Sequence, residues 1–172
     1  MNAYLKSVIY AGAGIGVLVV LLPELITRIT DVGSGLDPVK LRWVGAVVCA
    51  WGALVYFGCV ADFAARGGTP AFWDPPPRLV LNPWFRLARN PMYAGVGLMV
   101  VGRGLWLDAP PVVVYAALVT LGFHLFVVFY EEPHLRRVFG KSYRAYCECV
   151  PRWVPRLSVR RLTWGALWQG LR

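Results

Sequence analysis

An all-α integral membrane fold is predicted by three features of this chain: four apolar segments near bilayer-spanning length, an excess of apolar residues, and arginines gathered beside particular segments. Of its 172 residues, 58% are hydrophobic and the mean hydropathy is +0.53. Soluble domains use about 45–50% apolar residues. A helix needs about 20 predominantly apolar residues to cross the hydrocarbon core, and residues 4–25, 39–61, 91–107 and 109–130 meet or approach that length. The expected architecture is four transmembrane helices with a cytoplasmic C-terminal helical region that is re-entrant or interfacial.

The first segment has Lys6 ahead of its apolar run, as a signal peptide would, but Leu22-Pro23-Glu24-Leu25 offers no small-residue cleavage pattern. It is read as a retained span. Gly12 and Gly16, with Gly14 between them, have the spacing that lets helices approach closely in a bilayer. No strand precedes them, so a nucleotide-binding loop is excluded. The third segment is the shortest and carries Arg103. It and the fourth are predicted to form a tight helical hairpin, with Asp108, Pro110 and Pro111 at the turn.

Between the second and third segments, "GGTPAFWDPPPRLVLNPWF" is too rich in Gly and Pro for a regular element. Its Phe72, Trp73, Trp84 and Phe85 belong at the membrane interface, where amphipathic rings are favoured. After the fourth segment, Pro133 allows a new helix to begin, Gly140 interrupts it, and Pro151 and Pro155 end it. The last stretch places Leu157, Trp164, Leu167, Trp168 and Leu171 near one helical face and Arg160 and Arg161 toward another, which suits a helix lying on a leaflet. Three units follow: an anchoring pair of spans (1–62), a catalytic core (63–156) and an interfacial amphipathic helix (157–172).

The net charge of +9 reports topology. Arg66, Arg78, Arg86 and Arg89 lie in the second loop, and the tail holds Arg136, Arg137, Lys141, Arg144, Arg152, Arg156, Arg160, Arg161 and Arg172. Positive loops stay cytoplasmic, so both termini and the second loop are expected inside; Lys40 and Arg42 dissent. The basic residues are not interleaved on the polar face of a soluble domain, so nucleic acid is not an expected partner. Cys147 and Cys149 fall on the reducing side, and no disulfide framework is implied.

Polar groups capable of chemistry collect at two places. Asn90-Pro91 is a helix-start signal, with Asn capping free amides and Pro in the first turn. With Arg86 and Arg89 beside it, such a start favours an anion. At the end of the fourth segment, the adjacent carboxylates of Glu131 and Glu132 require cationic partners next to an apolar helix. His124 precedes Glu131 by seven residues, which on a straight helix puts both within about 20° of one face. That spacing is not a zinc-helix pattern, and the Cys147/Cys149 pair has no second pair, so no metal is expected. Neither a GxSxG elbow nor a Walker loop occurs.

Three separated stretches, "GTPAFWDPPPRLVL", "RLARNPMYAG" and "FHLFVVFYEEPHLRRVFGKSYRAYCECVPRWVPR", resemble in order the core of isoprenylcysteine carboxyl methyltransferases and their bacterial relatives over residues 68–156. The resemblance implies an enzyme of a bacterial cytoplasmic membrane, helical and without a Rossmann sheet. It would take S-adenosyl-L-methionine from the cytoplasm and a lipophilic small-molecule or lipid acceptor from among the membrane lipids. By the same resemblance, Arg89, Pro91 and Tyr93, the pair Glu131 and Glu132, and Tyr143 and Tyr146 stand at the family's motif positions.

Arg89 and the helix start at Asn90 are then expected to receive the cofactor carboxylate, and Glu131 or Glu132 its ammonium or ribose. Tyr93, Gly95, His124, Tyr143 and Tyr146 would complete the pocket, Gly95 by letting the cofactor or a neighbouring helix come close. Arg136, Arg152 and Trp84 are expected on the acceptor side, the arginines meeting an acceptor carboxylate or lipid phosphates, and Glu132 is the candidate base for an amine. Enzymes acting on prenylcysteine usually carry His where this chain has Asn90, a departure that bears on the acceptor. The alternatives are a phospholipid N-methyltransferase and a noncatalytic membrane scaffold.

Overall fold

A computed structural model describes residues 9, 12–30, 33, 38–65 and 83–154, and every regular element among them is helical. Helix α1 is Gly12–Thr30, α2 is Pro38–Ala65, α3 is the short Pro83–Leu87, and α4 is Pro91–Trp106. Helix α5, Pro110–Phe126, continues through a π-turn, Val127–Glu131, into α6, Glu132–Cys149, which is kinked at Gly140 with φ 53°. Three helical runs, Gly12–Thr30, Val39–Ala65 and Pro110–Cys149, are long and apolar enough to cross a membrane. The chain is an integral membrane protein. The loop residues Phe72 and Trp73 and the amphipathic stretch 157–172 lie outside the described residues.

Helix α1 runs five residues past the predicted end at Leu25, straight through Pro23. A proline ring inside a helix meets the carbonyl of residue i−4. The wider π-turn Gly16–Leu21 lies immediately before Pro23, where this conflict would fall. The predicted α4–α5 hairpin forms at residues 107–109. Asp108 adopts φ 51°, a left-handed conformation that Asp tolerates better than most residues. The turn is tied by Asp108 N–H to Leu105 O at 3.2 Å and by Ala109 N–H to Gly104 O at 2.9 Å.

Close helix approach occurs at Gly95, as the sequence allowed, and not at the glycines of α1. A Cβ built on Gly12, Gly14 or Gly16 would meet nothing within 4 Å. The most extensive helix pair is instead α2 with α4. Gly45 and Gly52 of α2 face Gly102 and Gly95 of α4 so tightly that a Cβ on Gly52 would lie 2.6 Å from Gly95 O, and one on Gly102 2.5 Å from Cys49 N. Glycines seven residues apart on each helix recur on nearly one face, and both backbones come into contact there. Val100, Val112 and Ala116 fill the core beside this pair, whereas Trp43, Val47, Trp51, Leu118 and Leu121 remain exposed, an outward apolar surface suited to lipid.

Candidate active site

Helix α3 ends just ahead of a short non-helical stretch, Ala88–Asn90, bent at Arg89, and Pro91 then opens α4. The start is where the sequence put it, but the expected cap is absent. The Asn90 side chain makes no capping hydrogen bond; its Nδ2 donates to the carbonyl of Arg152 at 3.2 Å. Beside it, Arg89 N–H donates to Pro151 O at 2.8 Å. Asn90 is buried, so its amide must find a partner, and the returning segment supplies one. Residues 150–154 thereby form a strap across the start of α4.

Glu132 opens α6 with its side chain only 4% exposed. Arg152 grips it with two bonds, Nε to Oε1 at 2.7 Å and Nη2 to Oε2 at 3.1 Å, while Arg89 Nη1 lies 3.0 Å from Oε1 and Arg136 Nη2 3.3 Å from Oε2. Forked, charge-assisted bonds of this kind are among the strongest a side chain makes. The hydrogen bonds to Glu132 hold the Arg152 guanidinium above its ordinary pKa, burial working against them. Arg136 and Arg152, expected from the sequence to meet an acceptor or a lipid phosphate, both turn to Glu132, because a buried carboxylate without partners is strongly unfavourable. Arg89 Nη1 also donates to Cys147 Sγ at 2.9 Å, and its buried Nε has no partner among the described residues.

Glu131 has a different neighbour. Successive helical side chains diverge by about 100°, and Tyr93 Oη donates to Glu131 Oε2 at 2.9 Å. The Tyr93 ring packs on Phe123, with centroids 4.8 Å apart. His124, expected to share a face with Glu131, hydrogen-bonds elsewhere: its Nδ1 accepts from Trp153 Nε1 at 3.0 Å. The π-turn Val127–Glu131 lies between the two residues, so the helix that was to align them is not straight.

Tyr143 and Tyr146 are buried together with Val150, and Tyr146 Oη donates to Phe85 O at 2.7 Å, docking α6 against α3. Gly95 approaches Gly52 and Tyr56 of α2, so the close contact it permits is between helices. Trp84 covers Gly58 of α2, where a Cβ would come 2.5 Å from Trp84 Nε1. The fold thus gathers Arg89, Asn90, Tyr93, Glu131, Glu132, Arg136 and Arg152, brings His124 to the strap, and leaves Gly95 and Trp84 against α2. Sequence reasoning missed Cys147, Phe123 and Trp153. A tryptophan near a membrane end reads as an interfacial anchor, and no spacing links it to a histidine 29 residues earlier.

The structure therefore presents a helical membrane protein with a buried, arginine-clamped carboxylate where its third and fourth apolar segments meet the following helix. The profile of the phospholipid methyltransferase family matches residues 41–142, from α2 into α6, and the chain belongs to that family. Protein-S-isoprenylcysteine O-methyltransferase B of Arabidopsis thaliana is 32% identical over 78 residues, which make up 45% of this chain and 40% of that protein. The chain thus matches well under half of that relative's length. No solved structure matches it.

Proposed function

We propose that the protein is an S-adenosyl-L-methionine-dependent methyltransferase acting on a lipophilic acceptor drawn from the bilayer. The observation that carries this reading is the Arg89 guanidinium: it is 11% exposed, is bonded through Nη1, and keeps a buried Nε without a described partner. Three arginines converge on the single carboxylate of Glu132, so that cluster has positive charge to spare for a ligand carboxylate. The donor's other groups also find matching chemistry. Arg89 would hold its carboxylate, Glu131 or Glu132 its ammonium or ribose hydroxyls, and the aromatic rings around Tyr93 its adenine.

When bound, the donor supplies a methyl group on positively charged sulfur, open to in-line displacement. The protein's part is then positioning and exclusion of water. Arg89 and Glu132 fix one another, Tyr93 orients Glu131, and the strap at 150–154 covers the α4 start. Four crossings are proposed, α4 being the shortest, with both termini and the arginine-rich segments cytoplasmic. In this arrangement residues 1–62 anchor, 63–156 catalyse, and 157–172 lie on the inner leaflet.

The acceptor is a carboxylate of a prenylcysteine-like molecule or a thiol; a carboxylate attacks without a base, and a thiol does so once ionised to the thiolate. The family match favours a second reading, a phospholipid amine, which must lose a proton before attack. For that proton Glu131 is a better recipient than Glu132, because Glu131 is engaged by one neutral hydroxyl and Glu132 by three arginines. Labelled methyl donor supplied to purified protein with prenylcysteine, thiol and phosphatidylethanolamine acceptors tests both readings, since the label partitions with the true product. Calorimetry with S-adenosylhomocysteine should show binding that Arg89→Ala abolishes. No binding to the intact protein would leave a noncatalytic scaffold in its place.

A further inference from the structure

The strap at 150–154 carries an arrangement that methyl transfer as proposed above does not use. Three consecutive residues anchor it to three elements: Pro151 O accepts from Arg89 N–H at 2.8 Å, Arg152 binds Glu132 of α6, and Trp153 Nε1 reaches His124 Nδ1 of α5 at 3.0 Å. The two rings lie 6.0 Å apart. A tryptophan acting only as a membrane anchor would direct its N–H to the headgroups; this one directs it into the bundle.

The chemistry of the pair fixes a proton. An indole N–H donates and never accepts, so the His124 Nδ1 it meets must carry a lone pair. A neutral imidazole with bare Nδ1 has its proton on Nε2. Among the described residues the His124 side chain has no other hydrogen bond, so Nε2–H stands as the ring's one remaining polar group. His124 follows Phe123, whose ring packs on Tyr93, and Tyr93 in turn donates to Glu131. The ring therefore sits at the edge of the candidate active site with its tautomer decided from outside.

We propose that Trp153 is a positioning residue that locks His124 in the Nε2–H form, making this ring a fixed hydrogen-bond donor to an oxygen or nitrogen of the bound methyl donor and removing it as a base. The proposal rests on the methyltransferase reading for the identity of the ligand. The lock itself is a property of the protein alone. With Nδ1 occupied, His124 has no free lone pair with which to take a proton, so any deprotonation of an acceptor falls to a carboxylate.

The test uses the full chain in detergent with its histidines labelled with 15N. His124 and His134 are the two histidines of the sequence, and His134→Gln assigns the signals. At neutral pH His124 should show an unprotonated Nδ1 and a protonated Nε2, and its Nε2 signal should move when S-adenosylhomocysteine is added. Trp153→Phe keeps a ring but removes the donor. It should produce a mixture of tautomers and weaken S-adenosylhomocysteine binding about three- to tenfold, the effect of losing one ordered hydrogen bond.

A wild-type His124 protonated on Nδ1 would overturn the proposal without recourse to any variant. So would a Trp153→Phe protein with an unchanged tautomer and unchanged affinity. If wild-type protein shows the locked tautomer yet binds no S-adenosylhomocysteine, the lock stands and the methyl-donor reading falls, so the two failures are distinguishable.

Discussion

Helix α4 has an arginine at each end, Arg89 just before its start and Arg103 in its last turn, and each meets a glutamate from another helix. Arg89 and Glu132 approach to 3.0 Å with side chains 11% and 4% exposed; Arg103 and Glu24 stand 3.4 Å apart at 29% and 42%. Glu132 gathers two further arginines from α6 and the strap, whereas among the described residues Glu24 adds only Arg28, one turn along its own helix at 3.7 Å. Like charges at the two ends of one helix thus produce a buried, multiply bonded site and an open pair. Desolvation and the number of converging elements separate them: a partly open pair contributes little, and a buried carboxylate depends on every partner it has.

The comparison breaks most completely if α2 is driven off α4, because this helix pair supports both ends. Gly52→Leu would place its side chain against Gly95 O and Met99 N, backbone atoms that cannot swing aside. The expected result is a loss of about 3 kcal/mol or more, seen as aggregation in size-exclusion chromatography. A monodisperse variant with wild-type melting would show that the two helices are not held in backbone contact.

Next in size is Glu132→Ala, which leaves Arg89 and its companions without their buried anion. A cost on the order of 3–5 kcal/mol is expected for breaking such a group, with a lowered melting temperature in detergent and loss of S-adenosylhomocysteine binding. Tyr93→Phe should be milder. It strips Glu131 of its one hydroxyl donor, worth about 1–3 kcal/mol where a buried acceptor is left unmet, and should slow methyl transfer to an amine more than to a carboxylate.

Glu24→Gln sharpens the contrast from the other side, with an expected cost of about 1 kcal/mol or less and intact donor binding. Donor affinity that fell as far in Glu24→Gln as in Glu132→Ala would mean that the two ends of α4 are coupled and the distinction drawn between them is wrong.

Much of this arrangement is legible in local chemistry. The hairpin turn follows from Asp108 ahead of Pro110 and Pro111, the α4 start from Asn90-Pro91, and the need of Glu131 and Glu132 for partners from carboxylates ending an apolar run. The reading went astray where it required the rotation of one helix against another. Gly12 and Gly16 have a helix-packing spacing yet meet nothing within 4 Å, while Gly95, open by sequence to either the cofactor or a helix, meets Gly52 of α2, a partner nothing in the sequence indicates. Asn90 was legible as a helix start but not as the tie that holds Arg152 O.

The sequence by itself determined that this is a helical membrane protein and which short stretches hold its polar groups, because hydropathy, turn residues and charge act over a few neighbouring positions. Only the tertiary structure decided that Arg152 and Arg136 serve Glu132, that Tyr93 serves Glu131, and that Trp153 meets His124. Those pairings depend on a π-turn that reorients the end of α5 and on the path of five residues beyond α6. Neither is set by the spacing of residue types along the chain, and each acts through contacts that form only once the helices have packed.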